Sequence, residues 1–217
     1  YQSNNLEFAI QEHKRAIKLD KKNFQSFYSL GVVYTHLKNY EKAIEYYKKA
    51  LSLDGESSVT HNNLANIYNN VNPNLAEEHY LKVLELVSND AMPYINISNY
   101  YLKNTKYKKC VQILEKALDK DIKVKELYNN LGIAYYATKD NIKAKTMFEH
   151  AIKLDPDYVH ALDNLKNINN LANIYNNVNP NLAEEHYLKV LELVSNDAMP
   201  YINISNYYLK NTKYKKC

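Results

Sequence analysis

The chain has 217 residues, 46% of them hydrophobic and 24% charged, with a formal net charge of +4 and only 3 Gly and 5 Pro. This composition suits an almost wholly helical chain, long enough for one elongated domain. The charges are of mixed sign and interspersed, as on a solvated helical surface and unlike a dedicated nucleic-acid binder, and no apolar run is long enough to cross a membrane.

In chain order, residues 1–3 read as the tail of a helix whose start is missing; with no initiating Met, a signal segment has room to have been removed. A second helix lies over 6–19 with Ala9 and Ala16 inward, so 1–23 is half of a helix pair. Residues 24–57 form a whole pair around a turn at Lys38-Asn39, since apolar and small residues recur at three- and four-residue steps on either side. Phe27, Leu30, Gly31 and Tyr34 mark one face, and Ala43, Tyr47 and Ala50 mark the other. Gly31, Ala43 and Ala50 allow the helices to approach closely, and bulk forced into such a contact costs about 1–3 kcal/mol.

The next pair, 58–90, is one residue shorter, and the deletion falls in the turn Asn72-Pro73-Asn74, where Pro suits a helix start and Asn a cap. The pair at 91–124 carries Pro93 in its first turn and starts its second helix within 106–109. The pair at 125–158 holds Tyr128, Leu131, Gly132, Tyr135, Ala144, Phe148, Ala151 and Pro156 in register with the others. At Asn169 the rhythm breaks: residues 169–217 are identical to 62–110 over 49 positions. Neighbouring pairs share little beyond their marker residues, so the copy reads as engineered, a very recent duplication, or a sequence assigned by analogy. The junction extends the first helix of 159–197 by six residues. At about 3.6 residues per turn this rotates its inward face by roughly 240°, which predicts one continuous helix with a kink near residues 165–171. Residues 198–217 are a final partial pair. Two unlike, incomplete ends predict weak head-to-tail self-association or a fragment of a longer array.

The markers recur along the whole chain. The small slot of Gly31 returns at Ala65, Ser98, Gly132, Ala172 and Ser205, and the tyrosine three places on at Tyr34, Tyr68, Tyr101, Tyr135, Tyr175 and Tyr208. Cys110 and Cys217 fill the small slot of Ala43 and read as buried residues, not as a disulfide or metal pair. A helix pair of this length with Leu, Gly/Ala, Tyr, Ala, aromatic, Ala, and LDPDY at 154–158 resembles the tetratricopeptide repeat (TPR) family. The resemblance implies an all-α, right-handed α-solenoid of TPR helix-turn-helix repeats, with function on a concave surface lined by the first helices.

No residue set points to catalysis. Gly31, Gly55 and Gly132 form no phosphate loop, the seven His form neither HExxH nor a Cys/His quartet, and Glu77-Glu78-His79 reads as a solvated face. Catalytic, metal and cofactor assignments are therefore none. Asn96-Ile97-Ser98 and Asn203-Ile204-Ser205 match a glycosylation acceptor but fall inside helices. On the concave face Asn63, Asn96, Asn130, Asn170 and Asn203 precede the inward Leu/Ile, and Asn66, Asn99, Asn173 and Asn206 lie three places on. Asn carries both donors and an acceptor, so a ladder of them suits the backbone of an extended peptide; the alternatives are hydrogen bonds between repeats and an Asn-rich coding bias. The ladder resembles that in the TPR portion of O-linked sugar transferases. The carboxylate clamp of chaperone-binding relatives is not met, because Tyr28, Asn62, Ile95 and Asn129 stand where its first Lys belongs. The basic run of Lys103, Lys106, Lys108 and Lys109 is too modest for an RNA reading. The expectation is a non-enzymatic, intracellular, cytoplasmic scaffold binding a protein or peptide, with no membrane partner. The alternative is a substrate-recruiting arm of a larger enzyme.

Overall fold

A computed structural model describes the backbone of residues 2–178 and the side chains of residues 5–168. Among these residues every regular element is an α-helix: α1 (Gln2–Leu19), α2 (Phe24–His36), α3 (Tyr40–Leu53), α4 (Ser58–Val71), α5 (Pro73–Leu86), α6 (Ala91–Lys103), α7 (Tyr107–Asp119), α8 (Lys125–Ala137), α9 (Asn141–Leu154) and α10 (Val159–Val178). The chain divides into two compact units, 1–123 and 124–217. In the first, α2/α3, α4/α5 and α6/α7 are packed pairs, α1 lies against α2, and successive pairs join through α3/α4 and α5/α6. In the second, α8 and α9 form a pair on which α10 packs.

One departure from the sequence reading concerns a helix start: α1 begins at Gln2 and runs to Leu19 with no turn between residues 3 and 6. The continuous helix expected across the duplication junction is present as α10, Val159–Val178. Residues 165–171, where the change of direction is expected, lie within this one helix, and the final partial repeat, 198–217, lies outside the described residues.

Each pair closes on one contact. A Cβ built on Gly31 would stand 2.5 Å from the ring of Tyr47, and one on Gly132 would stand 2.5 Å from the ring of Phe148. Tyr47 and Phe148 are both 1% exposed, so neither ring has solvent to retreat into. The corresponding positions in the other pairs hold Ala65 with Tyr80 and Ser98 with Leu114, all buried. Ala43, Ala50, Ala76, Cys110, Ala117, Ala144 and Ala151 are fully buried. Cys110 occupies a small slot as read from sequence, and burial pushes its thiol up to about 12, which leaves it inert.

The turns inside the pairs repeat as well. α2, α6 and α8 are each followed by a residue of positive φ, Lys38 (57°), Thr105 (56°) and Lys139 (68°). The next amide then reaches back five positions to the marker tyrosine: Asn39 N to Tyr34 O at 2.9 Å, Lys106 N to Tyr101 O at 2.8 Å, and Asp140 N to Tyr135 O at 2.9 Å. The shorter pair lacks this left-handed residue. Asn72 instead serves as both the C-cap of α4 and the N-cap of α5, with Pro73 opening α5, and Asn72 N bonds Tyr68 O at 2.7 Å. The expected cap by the Asn72 side chain is not made; Asn23, Asn39, Asp90 and Asp140 do cap their helices through side-chain oxygen.

Gly to Ala usually stabilises a helix by about 0.5–1 kcal/mol; here G31A and G132A are expected to lower stability by about 1–3 kcal/mol in thermal or urea unfolding because the ring must move. At the β-branched Thr105 the sign reverses: T105G is expected to gain about 0.5–1 kcal/mol, with T105A as the neutral control.

Candidate functional site

Within the first unit, the N-terminal halves of α4 and α6, with Tyr28 of α2 at one end, enclose a groove of about 280 Å³. Val59, Val83, Val87, Met92 and Pro93 supply its apolar lining, and Asn62, Asn63, Asn96, Ser58 and Asp90 its polar groups. Val59 and Met92 are 54% and 56% exposed, so they stand open at its rim.

The amides are tied between repeats. Asn96 Nδ2 donates to Asn62 Oδ1 at 2.8 Å, and Asn63 Nδ2 donates to Tyr28 Oη at 3.3 Å. Farther along the same helices Asn104 Nδ2 donates to Asn69 Oδ1 at 3.1 Å, and in the second unit Asn164 Nδ2 donates to Asn129 Oδ1 at 3.0 Å. Each partner sits 34 or 35 residues from the other. The Asn62–Asn96 rung uses one oxygen and one NH2 of the two amides. Whichever way the amides are turned, one NH2 group and one C=O group remain beside the groove without a hydrogen bond among the described residues.

Of the asparagines singled out in the sequence, Asn63 and Asn96 line the groove, half-buried. Asn66 is exposed on α4 and accepts from Tyr80 Oη at 2.6 Å, which ties it to its own pair. Asn99 is exposed on α6, and Asn130 is 7% exposed in the second unit. Asn170, Asn173, Asn203 and Asn206 lie outside the residues whose side chains are described. The repeat pattern does not mark Asn62, Tyr28, Val59, Met92 or Asp90 as part of a site. A search for polar pairs 34 or 35 residues apart, in place of equivalent positions in each repeat, finds Asn62 with Asn96 and Tyr28 with Asn63. The acceptor pattern at Asn96 lies inside α6, with the Asn96 amide bonded to Asn62 of α4 and Ser98 fully buried.

Glu77 and His79 do not form a solvated face. The Glu77 carboxylate, 15% exposed, accepts from Lys106 Nζ at 2.7 Å, Lys109 Nζ at 2.6 Å and Tyr101 Oη at 3.1 Å. Burial alone would raise its pKa, but the hydrogen bonds from Lys106, Lys109 and Tyr101 outweigh that and hold it at about 2. Lys103 meets Asn70 Oδ1 at 2.7 Å, so three lysines of the basic run already have partners.

His79 stacks on Tyr68, and its Nδ1 lies 2.8 Å from His61 Nδ1. His61 Nε2 faces the Gly55 carbonyl at 3.1 Å, which can only accept. His61 therefore carries its proton on Nε2, and His79 Nδ1–H donates to His61 Nδ1. Burial lowers the His79 pKa, helped by His61 and Lys48 and opposed by Glu78. Among the described residues no group of three or more His, Cys, Asp or Glu side chains is placed to hold a metal ion, and no helix is long and apolar enough to cross a membrane.

Models described as tetratricopeptide repeat match residues 24–57, 93–119 and 125–158, and a further TPR repeat model matches 1–37. Two curated relatives, both called uncharacterized protein ycf37, are 41% identical over 81 residues in Pyropia yezoensis and 39% identical over 75 residues in Porphyra purpurea. These matches cover 37% and 34% of this chain, and the chain spans only 42% and 40% of the relatives' length. Among solved structures, YrrB, reported as a TPR protein with an unusual peptide-binding site, superposes with a TM-score of 0.64 at 23% identity, covering 76% of this chain and 86% of that one. MamA gives 0.64 at 21% identity, covering 73% and 93%, and pilF of Pseudomonas aeruginosa gives 0.57 at 21%, covering 90% and 87%. At such identities the likeness is one of fold.

In urea unfolding, stability is expected to fall as pH drops below 6.5, where the unfolded chain takes up the His79 proton before the folded one does. It falls again between 4.5 and about 2, as protonation of Glu77 removes the stabilisation that is fully present above 4.5. E77Q is expected to cost about 2 kcal/mol at neutral pH, discounted because Lys109 stands in solvent, and to lack the second decline.

Proposed function

The chain belongs to the tetratricopeptide-repeat family, and we propose that it is a protein-interaction module that takes an extended peptide in the groove between α4 and α6. One observation carries this reading: the pair of amide groups left over by the Asn62–Asn96 rung lies in the same groove as the exposed apolar side chains of Val59 and Met92. A peptide backbone presents an N–H and a C=O in alternation, and its side chains alternate sides, so a donor and an acceptor beside an apolar slot match one peptide unit and one neighbouring side chain. YrrB, which shares the fold, is itself reported with a peptide-binding site, and this supports the class of ligand without locating it here.

Asn63 and Asn96 contribute in two ways under this reading, since their internal bonds hold α2, α4 and α6 at the spacing that leaves the groove open. Alanine at either position is therefore expected to weaken binding and stability together. The cleaner test is V59D/M92D, which alters side chains that are more than half exposed. Against a phage-displayed library of linear peptides, the wild type is expected to enrich binders whose affinity for V59D/M92D is about 10- to 100-fold weaker, with an unchanged melting temperature. Enrichment by both proteins alike would place the binding surface elsewhere.

A further inference from the structure

We propose that the groove selects a peptide segment in which an unbranched or branched aliphatic side chain is followed or preceded, within two residues, by lysine or arginine. The inference rests on the peptide reading above and adds the chemistry of the occupant. Size sets the first limit. At about 280 Å³ the groove lies at or below the lower end of small-molecule pockets, roughly 300–1,000 Å³, so it has room for one side chain and its adjoining backbone. The lining sets the second. Val59, Val83, Val87, Met92 and Pro93 offer no hydrogen bond to the seated side chain, and Met92 can adjust to its shape.

Charge sets the third. Among the described residues that line the groove, Asp90 alone bears a formal charge. Its Oδ1 accepts from Met92 N at 3.2 Å and caps α6, which answers the partial positive charge of that helix start. Its second oxygen, Oδ2, has no hydrogen bond among the described residues, and Asp90 is exposed. An ammonium or guanidinium next to the seated aliphatic residue gives that oxygen a partner; an aspartate or glutamate in the same place is repelled. Lys120 Nζ is held on the Ser88 carbonyl at 3.2 Å, two residues before Asp90, with no ion pair to Asp90 among the described residues, and Lys106 and Lys109 are held by Glu77.

The variant D90N separates charge from structure, because Asn keeps the oxygen that caps α6. The probe is an immobilised positional-scanning library of N-acetylated, C-amidated hexapeptides, read by fluorescence with labelled full-length protein. The wild type is expected to favour an aliphatic residue with Lys or Arg within two positions by about two- to fivefold over Glu, a preference that fades at high salt. D90N is expected to keep the aliphatic preference and lose the basic one. Retention of the basic preference in D90N, or a wild type that favours acidic neighbours, overturns the assignment to Asp90 while leaving the groove reading standing. A wild type that binds no library member, or binds with no aliphatic preference, overturns both.

Discussion

The fold depends on a steric exchange inside each helix pair: one helix gives up a side chain so that the other can bury a large one. At Gly31 and Gly132 even a methyl group would collide with the rings of Tyr47 and Phe148, and those rings are shut off from solvent by the same closeness. The attraction at such a contact is dispersion and apolar burial, and both fall off steeply with distance, so an extra carbon changes the separation of the whole pair. Where the first helix carries Ser98 in this slot, the second offers Leu114 in place of a ring. Size is traded across the interface, and the pair keeps its shape while its residues vary.

The closing turn depends on the same close approach. The marker tyrosine of a first helix is buried by its ring, and in three of the described pairs its carbonyl also receives the amide that ends the turn. This bond requires one residue in the left-handed region, and Lys38, Thr105 and Lys139 adopt it without being glycine. Such backbone persists only where surrounding contacts fix both helix ends. The shorter pair shows the alternative, with a single residue, Asn72, between two helices and proline at the start of the second. A deletion in the turn removes the strained residue and leaves both packing faces in register.

Between repeats the bonds are polar. Amide rungs from Asn62 to Asn96, Asn69 to Asn104 and Asn129 to Asn164 join first helices, while Glu77 gathers Lys106, Lys109 and Tyr101 from the next pair. Each rung is a single N–H···O bond and leaves most of the hydrogen-bonding capacity of its two amides to other partners. A surface built this way has directional groups to spare, and in the first unit they border an apolar groove. Cohesion and recognition thus draw on the same asparagines, which is why substitutions at Asn63 or Asn96 cannot be read as binding effects alone.

The helix pairs, the close contacts at Gly31 and Gly132 and the family itself were legible in the sequence, because periodic burial and small residues repeat in register and need only local geometry to interpret. The asparagines were legible as a group, but their roles were not: Asn66 turns to Tyr80, Asn130 is buried, and the rung joins Asn96 to Asn62, which stand at different positions of their repeats. Glu77 and His79 looked solvated for a related reason, since their partners come from another helix of the same pair or the next. Spacing along one chain fixes which face of a helix a residue occupies. Which atom it meets depends on the offset between neighbouring repeats, a rigid-body quantity set by the packing of whole helices, and only the tertiary structure contains it.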